Sequence, residues 1–125
     1  MALILIVDDD QDFRDSIAVL LRDKGHEVES VPNGRAALAH VLHALPDVVM
    51  LDLVMPDMDG PSFLEVIRSY LRLQSLPAVV VTGMSDSPMI DRVRALKVNS
   101  ILAKGKASPD EIIHALEEAV VRLPG

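Results

Sequence analysis

The sequence predicts an α/β domain whose parallel sheet is wound on both faces by helices. Three short runs, Leu3-Ile4-Leu5-Ile6-Val7, Val48-Val49-Met50-Leu51 and Ala78-Val79-Val80-Val81, are apolar at every position, as strands covered on both faces must be. Between them lie longer segments whose apolar residues recur at the helical period. Alternation of strand and helix implies right-handed crossovers and therefore a doubly wound sheet. The 125 residues suit one domain over 1–125, which buries on the order of two-thirds of its unfolded surface and needs no staple.

After the first apolar run, Phe13, Ile17, Leu20 and Leu21 recur at i, i+4, i+7 and i+8, and Gly25 is placed to end that helix. His26 to Val31 is a weaker, alternating strand with Val28 and Val31 as its apolar members. Asn33-Gly34 opens a second helix that runs through Leu38 and Leu42 to Pro46. The third strand follows, then a helix from about Pro61 to Leu73 with Phe63, Leu64, Ile67 and Leu71 on one stripe. The fourth strand leads to a helix from about Pro88 to Leu96, and Ser100 to Ala103 is a short fifth strand. Ser108-Pro109-Asp110-Glu111 then offers an N-cap, a proline at the first helical position and a capping-box glutamate. Ile112, Leu116, Ala119 and Leu123 share one face of that last helix. Five such units suggest the flavodoxin-like (βα)5 sheet of order 2-1-3-4-5, in which ligands bind at the carboxyl ends of the strands where the first and third adjoin.

Composition narrows the chemistry. Only Phe13, Phe63 and Tyr70 are aromatic, so the core is aliphatic. The absence of cysteine excludes disulfides, thiolate metal sites and thiol catalysis, and suits a reducing cytoplasm. A net charge of −7 carries no electrostatic footprint for nucleic acid or anionic lipid. The run from Ala2 to Val7 is too short to span a bilayer, follows no Lys or Arg, and ends on Asp8, Asp9 and Asp10, the reverse of a secretory signal. A cytoplasmic protein without membrane or nucleic-acid contacts is expected.

The polar residues that end the apolar runs collect at one edge of such a sheet. The first run ends in Asp8-Asp9-Asp10, the third leads into Asp52, the fourth ends at Thr82 and the fifth at Lys104. Asp10 reads as the N-cap of the first helix. A carboxylate after an apolar central strand is costly to desolvate without a cation or hydrogen bonds. Asp8, Asp9 and Asp52 would repel one another unless positive charge sits among them. Hard oxygen ligands suit Mg²⁺, which keeps several waters and takes one or two carboxylates, and Lys104 supplies the remaining positive charge. His40 and His43 stand three apart on the second helix without a third ligand, and read as part of a solvated face.

These stretches, Ile4-Leu5-Ile6-Val7-Asp8-Asp9-Asp10, Asp52-Leu53-Val54-Met55-Pro56-Asp57-Met58-Asp59-Gly60, Thr82-Gly83 and Ala103-Lys104, resemble the receiver domain of bacterial two-component response regulators. The spacings of 43 residues from Asp9 to Asp52, 30 to Thr82 and 22 to Lys104 fit that family along the whole chain. The resemblance implies that Asp52 accepts a phosphoryl group from a sensor histidine kinase or a histidine phosphotransfer protein, with no turnover of other substrates. It implies that Asp8, Asp9, Asp52 and the backbone carbonyl of Val54 hold Mg²⁺, that Lys104 neutralises a phosphoryl oxygen and that Thr82 hydrogen-bonds another. The signal would pass to an output domain or a protein target. Met55-Pro56 and Gly60 would shape the loop after Asp52, with Gly60 allowing a turn closed to other residues. Val54 and Met84 would flank the path of the water that hydrolyses the acyl phosphate.

Three positions depart from the family. Ile101 stands where an aromatic residue usually reports activation, Gly105 stands where proline usually follows the lysine, and Asn99-Ser100 replaces acidic residues at the start of the fifth strand. They motivate an alternative, a receiver-like binding module that is not phosphorylated. A second alternative is a haloacid-dehalogenase-type phosphatase using the Asp-x-Asp of Asp8 and Asp10. Against it, Asp12 stands where threonine or valine is expected, no acidic pair follows Lys104, and Asp52 has no role.

Overall fold

The computed structural model describes residues 1–83 and 88–121. Its elements alternate as the sequence predicts: β1 (Leu3–Val7), α1 (Gln11–Asp23), β2 (Glu27–Val31), α2 (Gly34–His43), β3 (Val48–Leu51), α3 (Gly60–Arg68), β4 (Ala78–Thr82), α4 (Pro88–Arg94), β5 (Ser100–Ala103) and α5 (Pro109–Val121). The five strands form one parallel sheet in the order β2-β1-β3-β4-β5. The all-apolar runs are sorted by strand pleating onto two faces. Leu5, Val7, Val49, Leu51 and Val80 point to one side, into a core shared with Val41 of α2, Phe63 and Ile67 of α3 and Val93 of α4. Ile4, Ile6, Val48, Met50, Val79 and Val81 point to the other, against Ile17 and Leu21 of α1 and Ile112 and Leu116 of α5.

Helix ends follow local chemistry. Asp10 caps α1, its side chain accepting from the Phe13 N–H, and Asn33 caps α2 in the same way through Ala36. Gly25, at φ +91°, closes α1 with a Schellman pair: its own N–H reaches the Arg22 carbonyl and that of His26 the Leu21 carbonyl. Ser108 and Glu111 form the reciprocal capping box of α5.

The structure corrects the sequence reading in several places. The third helix stops at Arg68, short of Leu73, and Leu71 is 85% exposed instead of lying on the buried stripe. The chain leaves the helix so that Leu73 and Leu76 enter the core, and the Arg68 guanidinium holds the turn by donating to the carbonyls of Leu73 and Leu96. The fourth helix likewise ends at Arg94. Leu20 and Leu42 lie at the exposed margins of their helices while Ile17, Leu21 and Val41 are buried. Leu123 lies outside the described residues. Among the described residues no helix is long and apolar enough to cross a membrane.

Candidate functional site

The carboxyl ends of β1, β3, β4 and β5 bring the sequence-predicted residues together. β1 delivers Asp8, buried, and Asp9, exposed. Asp52 follows β3 directly, and its N–H extends the ladder by donating to the Val7 carbonyl at 2.9 Å. Thr82 closes β4 with its residue buried, and its carbonyl accepts from the Lys104 N–H at 2.9 Å, which carries the β4–β5 pairing through to the lysine. Strand register therefore sets the relative heights of Asp8, Asp52, Thr82 and Lys104.

The Lys104 ammonium lies 2.7 Å from Asp8 Oδ2 and 3.2 Å from Asp52 Oδ2. With Asp52 it makes a hydrogen bond. With Asp8 the contact is an ion pair, and Oδ2 of Asp8 is buried with no well-directed hydrogen bond. The other Asp8 oxygen accepts from the Asp10 N–H at 2.9 Å, and the Asp8 carbonyl accepts from Arg14 Nη1 at 2.6 Å. Asp52 Oδ1 accepts from the Leu53 N–H at 2.7 Å. Burial pushes the Asp8 carboxyl above its ordinary pKa, against the opposing pull of Lys104. Burial would lower Lys104, but Asp8 and Asp52 outweigh it and hold the ammonium above its ordinary value.

Asp8, Asp9 and Asp52 each present a carboxylate oxygen within 4.8 Å of the others. Against these three carboxylates stands one ammonium, which leaves an excess of negative charge. The oxygen-only donor set and the excess negative charge fit a hard divalent ion such as Mg²⁺. Val54, two residues beyond Asp52, is half-exposed in the following loop. Met84, the other residue expected beside the water path, lies outside the described residues. His40 and His43 join no group of three potential ligands among the described residues.

Gly60 shapes this loop by a different means from the one expected. Its φ is not among the positive ones, whereas that of Asp57 is, at 68°. Gly60 is required because a Cβ there would collide with the Asp52 carbonyl oxygen and come within 2.9 Å of Leu53 Cα. Its N–H donates to the Leu53 carbonyl at 3.0 Å, pinning the start of α3 against the backbone that carries Asp52. Two contributors escape sequence reasoning. Phe13 reads as a core residue, yet the Lys104 ammonium stands 4.7 Å from its ring centroid. Arg14 carries no motif in the sequence, yet its guanidinium donates to the Asp8 backbone carbonyl. Their place in the first turn of α1, facing the carboxyl edge, is the only sequence signal for either.

The family model of the response regulator receiver domain matches residues 4–117. The chain is 36% identical over 124 residues to the response regulator Rre1 of Synechocystis sp., an alignment that covers 95% of this chain and 49% of that one. It is 33% identical over 123 residues to an uncharacterised 14.6 kDa protein of Leptolyngbya boryana, covering 97% and 92% of the two. The chain thus spans about half the length of some curated relatives and nearly all of another. The structure superposes on the chemotaxis response regulator CheY4 of Vibrio cholerae with a TM-score of 0.85 at 31% identity, covering 95% and 98% of the chains.

Proposed function

The chain belongs to the response regulator receiver domain family, and from that premise we propose that Asp52 is a phosphoacceptor served by a sensor histidine kinase or histidine phosphotransfer protein. The observation that carries the proposal is the Asp52 carboxylate itself, almost buried at the sheet edge, with one oxygen on the Lys104 ammonium and Asp8 and Asp9 beside it. A buried carboxylate held between a cation and a cluster of like charges is arranged for charge-compensated chemistry, which is most of what phosphoryl transfer asks of a protein.

In the proposed reaction an Asp52 oxygen forms the bond to phosphorus as the phosphorus–nitrogen bond of a phosphohistidine breaks, and the electron pair leaves with the imidazole nitrogen. The Leu53 N–H, bonded to Oδ1, fixes the carboxylate plane. Lys104 moves no proton; it holds positive charge where the phosphoryl oxygens arrive, and the Thr82 side chain lies at the same edge for hydrogen bonding. Asp8, Asp9, Asp52 and the Val54 carbonyl would hold Mg²⁺, which supplies charge compensation on the phosphoryl oxygens when bound. Residues 1–125 act as one receiver domain in the cytoplasm, and the signal passes to an output domain or a protein target. The chain turns over no external substrate beyond gaining and losing its own phosphoryl group.

Intact-mass measurement with Mg²⁺ and acetyl phosphate tests this. One phosphoryl group is expected on the wild type and none on Asp52→Asn. Equal labelling of the two proteins would remove the assignment.

A further inference from the structure

We propose that Phe13 is a positioning residue for Lys104, its ring face holding the ammonium at the Asp8–Asp52 pair and so setting the rate of phosphoryl transfer. The inference rests on Asp52 being the phosphoacceptor. Four contacts close a circuit around the lysine. Asp8 Oδ1 accepts from the Asp10 N–H at 2.9 Å, and Asp10 Oδ1 accepts from the Phe13 N–H at 3.1 Å. The Phe13 ring centroid lies 4.7 Å from Lys104 Nζ, which returns to Asp8 Oδ2 at 2.7 Å. The backbone that carries the ring is thereby tied through Asp10 to Asp8, one of the two carboxylates that draw the ammonium in. Phe13 also packs against the core between α1, α5 and the sheet, so it is braced from behind.

Lys104 needs such a guide. Its side chain is a flexible four-carbon stem that loses rotamer freedom when the ammonium is held in one place. The backbone beyond it passes into Gly105 at φ +82°, where nothing approaches within 4 Å of a notional Cβ. A glycine in that conformation leaves the backbone after the lysine without a side chain to brace it. The carboxylates attract it, but of the two Asp52 changes its charge and shape when it gains a phosphoryl group. The face of an aromatic ring attracts a cation through its quadrupole and keeps its own charge state throughout. Phe13 thus acts with Asp8 to hold the ammonium in register before and after transfer.

A double-mutant cycle on the whole chain tests the idea, with labelling by acetyl phosphate and Mg²⁺ timed by intact mass. Phe13→Leu keeps an apolar side chain but loses the quadrupole, and should slow labelling about 3- to 30-fold. Phe13→Tyr restores the ring face and should label within about twofold of wild type, which a purely space-filling role for Phe13 does not require. In a Lys104→Ala background, Phe13→Leu should cause no further slowing, since the group it positions is gone. Labelling of Phe13→Leu at the wild-type rate, failure of Phe13→Tyr to rescue, or equal slowing in both backgrounds would each overturn the inference and leave Asp52 as acceptor. Absence of labelling on the wild type would remove that premise and the inference with it.

Discussion

At Gly60 any side chain would strike the backbone that carries Asp52. Overpacking against backbone costs about 1–3 kcal/mol, because neither side can rotate away. Gly60→Ala should therefore lower the melting temperature by roughly 4–12 °C for a domain of this size. It should also displace Asp52 from Lys104 and slow phosphoryl acceptance. A melt coincident with wild type would show that the loop yields freely. The same dependence on close contact explains why Phe13 and Arg14 were not legible as site residues. Their roles come from which strand ends adjoin the first turn of α1, and neighbours along the chain do not reveal that.

Among the elements, α5 is tied to the opposite end of the sequence through His26. The Ala2 N–H donates to His26 Nδ1 at 3.1 Å, so the ring proton sits on Nε2 and reaches Glu117 Oε2 at 2.9 Å. Lys24 adds a longer ion pair to Glu117 at 3.9 Å. The His26 hydrogen bond is the chief cause that holds the Glu117 carboxyl below its ordinary value, with partial burial opposing it. A carboxyl depressed in the folded state stabilises the fold above its unfolded pKa, and that stability is lost as pH falls through the depressed folded value. Wild type should accordingly exceed Glu117→Gln in stability at neutral pH. The gap should close as pH falls below the ordinary value of 4.5. Denaturant melts across that range measure it, and a gap that widens in acid would refute the tie. Helix ends with capping chemistry were legible in sequence for the same local reason. The early end of α3 was not, since it depends on Arg68 reaching Leu96, 28 residues on.

For the whole molecule, the sheet brings Asp8, Asp9 and Asp52 together against their mutual repulsion, so the fold carries an electrostatic cost at its carboxyl edge. A divalent ion that binds only the folded state repays this by mass action, about 1.4 kcal/mol at ten times its Kd. Mg²⁺ should raise the melting temperature of wild type by roughly 4–6 °C under those conditions. Asp9→Ala should abolish that rise while melting no lower than wild type in chelator, because it relieves repulsion. An undiminished Mg²⁺ response in Asp9→Ala would exclude this cluster as the site. Calcium in place of Mg²⁺ gives a useful control, since its larger shell demands more protein oxygens.

By itself the sequence determined the order of elements, the strands buried on both faces, the N-terminal caps of α1, α2 and α5, and the set Asp8, Asp9, Asp52, Thr82 and Lys104 that meets at one edge. These follow from periodicity, local hydrogen-bonding chemistry and the topology that alternating elements impose, all of which are written within short windows of chain. Only the tertiary structure decided that Gly60 serves close approach instead of a left-handed turn, that Leu71 faces solvent while Leu73 enters the core, and that Lys104 is shared between Asp8 and Asp52 over the face of Phe13. Each of these depends on a distance between residues far apart in the chain. Such distances are set by how the packed layers settle against one another.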